Sequence, residues 1–284
     1  MTGGQNGAPG PRARAGRRRR VFVALDPCEA DLADFEASAR LAAGLNAELV
    51  GLFVEDSRLI EAADLPVTQL IPAGCRGLTS VDGAAMRRAF RVAAQRSREA
   101  MSAAAERWRL EWSFEVTQTG PAQEAVSRLT ADDLLALCGM GRAGRPRGGP
   151  GPDWAASCTV VRLRRGATRA QPVAVLYEGG ETLLRLGGDL ARIYESPLWV
   201  LVPAAEEAVL RARAAEAAAW LAERGIAARI DPAPGTGLRD AVARLRSAYP
   251  GFVLVDRRGD LGGQIDMDAL ADEVRTSVVV LGGD

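Results

Sequence analysis

The chain contains no histidine and no lysine, so all 36 of its basic residues are arginine. Without imidazole there is no Ser-His-Asp or Cys-His arrangement, no HExxH zinc site and no histidine general base. Without lysine there is no Schiff-base nucleophile and no Walker A loop, whose lysine reaches the β- and γ-phosphates. Arginine stays protonated at working pH, so it can clamp an anion but cannot shuttle a proton. Carboxylates stand at Asp26, Asp56 and Asp153, but no spacing marks a catalytic pair, and acidic residues at such turns usually cap helices. The chain reads as a protein that is not an enzyme.

Cysteine is scarce as well. Cys28, Cys75, Cys138 and Cys158 are scattered with no CxxC pair, which argues against a metal site or a disulfide scaffold and fits a reducing cytoplasm. No apolar run approaches the roughly 20 residues of a membrane helix. The 36 acidic residues balance the 36 basic ones, so no overall field favours nucleic acid or an anionic membrane.

What is present is a repeated α/β pattern. A length of 284 residues suggests about two domains at roughly 150 residues each. Residues 1–19 are rich in glycine, proline and arginine without apolar periodicity, and read as a disordered tail. From there, VFVAL (21–25) ends in Asp26 and a turn. A helical pattern with Leu32, Phe35, Ala39 and Ala42 on one face follows, then the strand ELVGLFVED. A long helix runs from Met86 to Trp108, followed by the alternating strand WSFEVT, a short helix near 121–129, LLALC (134–138) and TVVRL (159–163).

The order then recurs. VAVLY (173–177) ends in Glu178 and a glycine turn. The next helix carries Leu183, Leu186, Leu190 and Ile193 at the spacing of the first. LWVLV (198–202), a helix from Ala204 to Arg224, the strand AARI, the helix Leu238 to Ala248, GFVLV (251–255), the helix Met267 to Arg275 and SVVVL (277–281) complete it. Strands alternating with helices imply two tandem, doubly wound, mainly parallel five-stranded α/β domains of Rossmann-like type. The expected boundaries are 20–166, with an insertion at 57–82, and 171–284.

The strand–Asp–turn–helix opening, the segment LAAGLNAELVGLFVED, the long alanine-rich helix and the glycine turn after the fourth strand together resemble the universal stress protein family. Both halves carry the resemblance. It implies two copies joined as an internal pseudo-dimer through their last strands, acting by binding in a cytoplasmic stress response. It also implies protein partners, and allows a homodimer in addition; edges already covered by the pseudo-dimer would need no further copy for stability. Nucleotide-binding members place an acidic residue at the end of strand one. After strand four they carry Gly-x2-Gly-x9-Gly-(Ser/Thr), whose amides and hydroxyl hold phosphates.

In the first half Asp26, Gly141 and Gly144 match the front of that pattern, with Arg142 between the glycines, and the closing pair falls on Trp154-Ala155. Arg142, Arg145 and Arg147 could supply charge for the missing donors. In the second half Glu178 takes the acidic position, Asp256 and Gly259 take the glycine positions, and the closing pair falls on Ala269-Leu270. Asp256 places a carboxylate where a phosphate would lie, which is repulsive. The resemblance therefore implies nucleotide binding that is weak or lost. The alternative is an ATP- or ADP-binding sensor, with Mg²⁺, that uses Asp26, Gly141, Arg142 and Gly144 of the first half only.

Overall fold

The computed structural model describes residues 19–25, 32–55, 57–65, 69–70, 79–80, 82–117, 129–138, 158–164, 171–234 and 237–282. Residues 1–18 of the expected tail, residues 121–128 of the expected short helix, and residues 139–157 lie outside the described residues.

Among the described residues the first half contains β1 (Arg20–Leu25), α1 (Leu32–Gly44), β2 (Glu48–Val54), α2 (Ser57–Ala63), the short ribbon β3 (Gln69–Leu70) and β4 (Thr79–Ser80), α3 (Gly83–Trp108), β5 (Trp112–Thr117), β6 (Leu134–Cys138) and β7 (Thr159–Arg162). The second half contains β8 (Val173–Leu176), α4 (Glu181–Tyr194), β9 (Leu198–Ala204), α5 (Glu207–Glu223), β10 (Ala228–Pro234), α6 (Leu238–Ala248), β11 (Phe252–Asp256), α7 (Met267–Val274) and β12 (Ser277–Leu281).

All strands except β3 and β4 form one ten-stranded sheet in the order β10-β9-β8-β11-β12-β7-β6-β1-β2-β5. Each half is a parallel unit with its first strand at the centre and its third at the outer end. The two fifth strands meet antiparallel, with Val279 opposite Val161, Val278 opposite Arg162 and Val280 opposite Val160. Aligning TVVR with SVVV makes Val161 and Val279 equivalent, so a pseudo-twofold axis passes between them. The pairing covers only the fifth-strand edges. The sequence-based expectation that the pseudo-dimer covers its own sheet edges is therefore corrected: β5 and β10 remain as the two ends.

Apolar residues alternate across the sheet as the strand period requires. Val21 and Val23 join one core and Phe22 another. The larger core is continuous through both halves, because α1, α3, α4 and α5 all lie on the same face. There α1 and α4 cross at the pseudo-dyad. A side chain at Gly44 would collide with Ile193. The Arg40 guanidinium donates to the Ile193 carbonyl at 3.0 Å and stacks 4.4 Å from the centre of the Tyr194 ring. On the opposite face α6 and α7 cover the second half. Arg162 of β7 reaches across to α7, donating to the Asp268 carboxylate at 2.8 Å and lying 3.5 Å from Asp272.

The helix ends follow their local sequence. Asp82 caps α3 by accepting from the Ala85 amide, and Asp266 caps α7 by accepting from Asp268 and Ala269. The helix expected from Met86 to Trp108 is α3, which begins three residues earlier, at Gly83. Phe90, Ser97, Met101 and Ala104 are buried, whereas Trp108 is 38% exposed.

At the start of β1, Arg20 donates from Nη2 to Asp133 at 2.6 Å and from Nε at 3.2 Å. Thr130 adds its amide and hydroxyl, each at 2.9 Å. Burial would raise the Asp133 carboxyl, but the hydrogen bonds from Arg20 and Thr130 outweigh it and hold it below the usual carboxylate range. This fastens the entry of β1 to that of β6. Asp133→Asn leaves Arg20 without its charge partner and lowers stability by about 2 kcal/mol at neutral pH, measured by urea unfolding. Because the folded carboxyl is depressed, its contribution is complete above the unfolded value of about 4 and fades as pH falls below it. The variant therefore has the flatter stability profile through that acid range.

Candidate functional site

In an open parallel sheet the ligand crevice forms where the strand order reverses, because connections from two neighbouring strands leave to opposite faces. In the second half this occurs between β8 and β11, which pair directly. The chain leaves β8 toward α4 on one face and leaves β11 toward α7 on the other. Glu178 follows β8 through the turn Gly179-Gly180, whose φ angles of +130° and +88° suit only glycine. The segment 257–266, with a single 3₁₀ turn at Gly262–Gln264, follows β11.

Glu178 spans this crevice. Its Oε1 accepts from the Leu261 amide at 2.9 Å and its Oε2 from the Gly262 amide at 3.1 Å. Two successive backbone N–H groups converging on one anion form a small nest, the arrangement that elsewhere receives phosphate. Here the anion is the chain's own carboxylate. The fit depends on two glycines: a Cβ at Gly259 would collide with Glu178, and one at Gly262 with the Asp256 carbonyl.

Two further groups of donors at this end are also held by carboxylates. Asp256 accepts from the Arg258 amide at 2.9 Å and from its guanidinium at 3.4 Å. The first-turn amides of α7, Asp268 and Ala269, donate to Asp266 at 2.8 and 3.1 Å. Ala269 and Leu270, the positions of the expected closing pair, lie inside α7, with Leu270 buried. Tyr177, beside Glu178 in sequence, sits in the core on the α4 side. Burial, aided by its hydrogen bond with Glu216, raises its phenol above the ordinary range.

The sequence reading placed the glycine positions at Asp256 and Gly259. The structural turn uses Gly259 and Gly262, the same x2 spacing shifted by three residues, and that spacing was the signal available in GDLGG. The reach of Glu178 to the far loop had no sequence signal, since it depends on β8 and β11 being neighbours. In the first half Asp26, Gly141, Arg142 and Gly144 lie outside the described residues. The strands that lead into them are adjacent, with Leu25 opposite Cys138.

Elsewhere, a cavity of about 530 Å³ lined in part by Trp199, Arg229, Asp231 and Arg244 opens at the N-terminal ends of β8 and β9, opposite to the crevice. Cys158 is buried, which together with the Asp133 charge pushes its thiol up to about 11. It is protonated at neutral pH and a poor nucleophile. Among the described residues no cluster of His, Cys, Asp and Glu could hold a metal ion, and no helix is long and apolar enough to cross a membrane.

The order 3-2-1-4-5 in each half, joined antiparallel through the fifth strands, defines a tandem α/β protein with the universal-stress-protein fold. Solved structures bear this out. A universal stress protein from Archaeoglobus fulgidus DSM 4304 superposes with a TM-score of 0.54 at 12% identity, covering 92% of this chain and 96% of that one. A protein from Pseudomonas aeruginosa UCBPP-PA14 described as a universal stress protein gives 0.53 at 16% identity, covering 93% of each chain. The cytoplasmic domain of a prokaryotic cation chloride cotransporter gives 0.51 at 10% identity, covering 94% and 96%. No family model matches the sequence and no curated protein matches it.

Glu178→Ala leaves the Leu261 and Gly262 amides without an acceptor, at a cost of about 1–3 kcal/mol. Added sulfate or phosphate then raises the melting temperature of the variant more than that of the wild type, as thermal unfolding in an anion series shows.

Proposed function

We propose that the chain is a non-catalytic binding protein of the universal-stress type, acting in a cytoplasmic stress response through protein partners, and that its second half takes no nucleotide. The observation that carries this reading is the Glu178 carboxylate on the Leu261 and Gly262 amides. A phosphate entering there would have to displace a tethered anion whose ordering entropy is already spent in folding, and would face Asp256 as well. The lack of histidine and lysine supports a role without chemistry. That two copies of this fold also make the cytoplasmic domain of a cotransporter supports a module that works by contact.

A second reading keeps ATP or ADP with Mg²⁺ as ligand of the first half alone. The adjacency of β1 and β6 favours it, since these are the strands that precede Asp26 and Gly141-x2-Gly144 in the chain. Arg142 would then pair with a phosphate.

Calorimetric titration with ATP and Mg²⁺ separates these readings. The binding-protein reading gives no saturable heat up to millimolar nucleotide, about 4 kcal/mol. One site per chain near micromolar, about 8 kcal/mol, that is lost in Gly144→Asp would establish the sensor instead. Two sites per chain would contradict the closed second half.

A further inference from the structure

The two ends of the ten-stranded sheet, β5 and β10, are equivalent third strands of their halves, yet they are built differently. The Leu49 amide donates to Glu111 at 3.0 Å and the Glu55 amide to Thr117 at 2.8 Å. In a parallel ladder this turns the backbone groups of 111, 113, 115 and 117 toward β2. The N–H and C=O groups of Trp112, Phe114 and Val116 therefore point away from the sheet. At the other end, the Val173 amide donates to Pro197 and the Tyr177 amide to Leu201. With Ala228 opposite Leu198, the outward positions of β10 are Ala228, Ile230, Pro232 and Pro234. Proline offers no N–H, so β10 is blunted at two consecutive outward positions. The registers make Val116 the counterpart of Pro232. No described segment pairs with the outer side of β5.

We propose that β5 is a self-association edge, at which a second copy of this chain pairs its own β5 antiparallel about a twofold axis at Phe114, making a sheet of twenty strands. Side-chain chemistry selects this register. Centred on Phe114, each of the outward residues exchanges both backbone groups with the partner, Glu115 faces the partner's Ser113, and Glu111 faces the partner's Thr117. Centring on Ser113 sets Glu115 against the partner's Glu111, and centring on Glu115 sets that residue against itself. Like charges directly opposite are destabilising.

The Phe114 register also sets Trp112 against the partner's Val116, a favourable aromatic and β-branched pair. Trp112 and Phe114 pack on the α3 side of the sheet, and strand alternation puts Val116 on that same face. Val116 is 51% exposed, and Trp108, at the end of α3, is 38% exposed. The twofold carries each exposed valine to the partner's end of β5 that adjoins its Trp108. One operation thus covers the apolar groups at both ends of the strand.

Sedimentation equilibrium of the full chain tests this. The expected mass is twice the 30.0 kDa of one chain. Val116→Pro, which copies the opposite edge, weakens the dimer by at least about tenfold, because a backbone hydrogen bond is lost at both symmetric positions. Val116→Lys, which needs no change of backbone, has the same effect and decides the matter if the proline variant fails to fold by circular dichroism. Ile230→Lys on the β10 edge leaves the dimer intact. A wild type that stays monomeric up to about 100 μM, or a dimer that survives both Val116 substitutions, would overturn the proposal.

Discussion

The antiparallel seam between β7 and β12 is the constraint on which the rest of this molecule depends. Each half alone would end in a fifth strand with one open side; together they form a single sheet with Val161 and Val279 at its centre. That seam fixes which helices meet. On one face it brings α1 against α4, closely enough that Gly44 admits no side chain beside Ile193. On the other it brings Arg162 of β7 and Arg164, two residues beyond it, to α7, where Arg164 donates to the Ala271 carbonyl at 3.3 Å. The core on the α1 side runs unbroken through both halves, so the halves are expected to unfold together.

In the second half the same topology builds a crevice whose amides carry the chain's own carboxylates. A nest of amides and a helix N-terminus together make an anion site in many α/β proteins. Here Glu178 occupies the first element and Asp266 the second. An intramolecular carboxylate needs no association entropy, so it outcompetes a weak external anion.

Much of the architecture was legible in the sequence because buried parallel strands read as short apolar runs and the pattern occurs twice. SVVVL and the helix Leu238–Ala248 fall where periodicity put them. Strand β10 was read only as AARI, yet it continues through Asp231 to Pro234. Its prolines look like strand breakers along the chain, and only the sheet reveals that they sit at outward edge positions where no N–H is required. The site was less legible. Glu178 was recognised as the acidic position, but its partners lie 83 and 84 residues away, a separation that local pattern does not encode. The turn glycines were displaced by three residues because Asp256, the end of β11, was taken as the first of them.

The most direct measurement is the backbone amide shifts of Leu261 and Gly262, followed by nuclear magnetic resonance while ADP and Mg²⁺ are added. If Glu178 is the resident anion of this loop, both resonances stay fixed to millimolar ligand, whatever happens elsewhere in the spectrum. A saturable shift at these two amides would mean that nucleotide displaces the carboxylate, and the closed second half would be wrong.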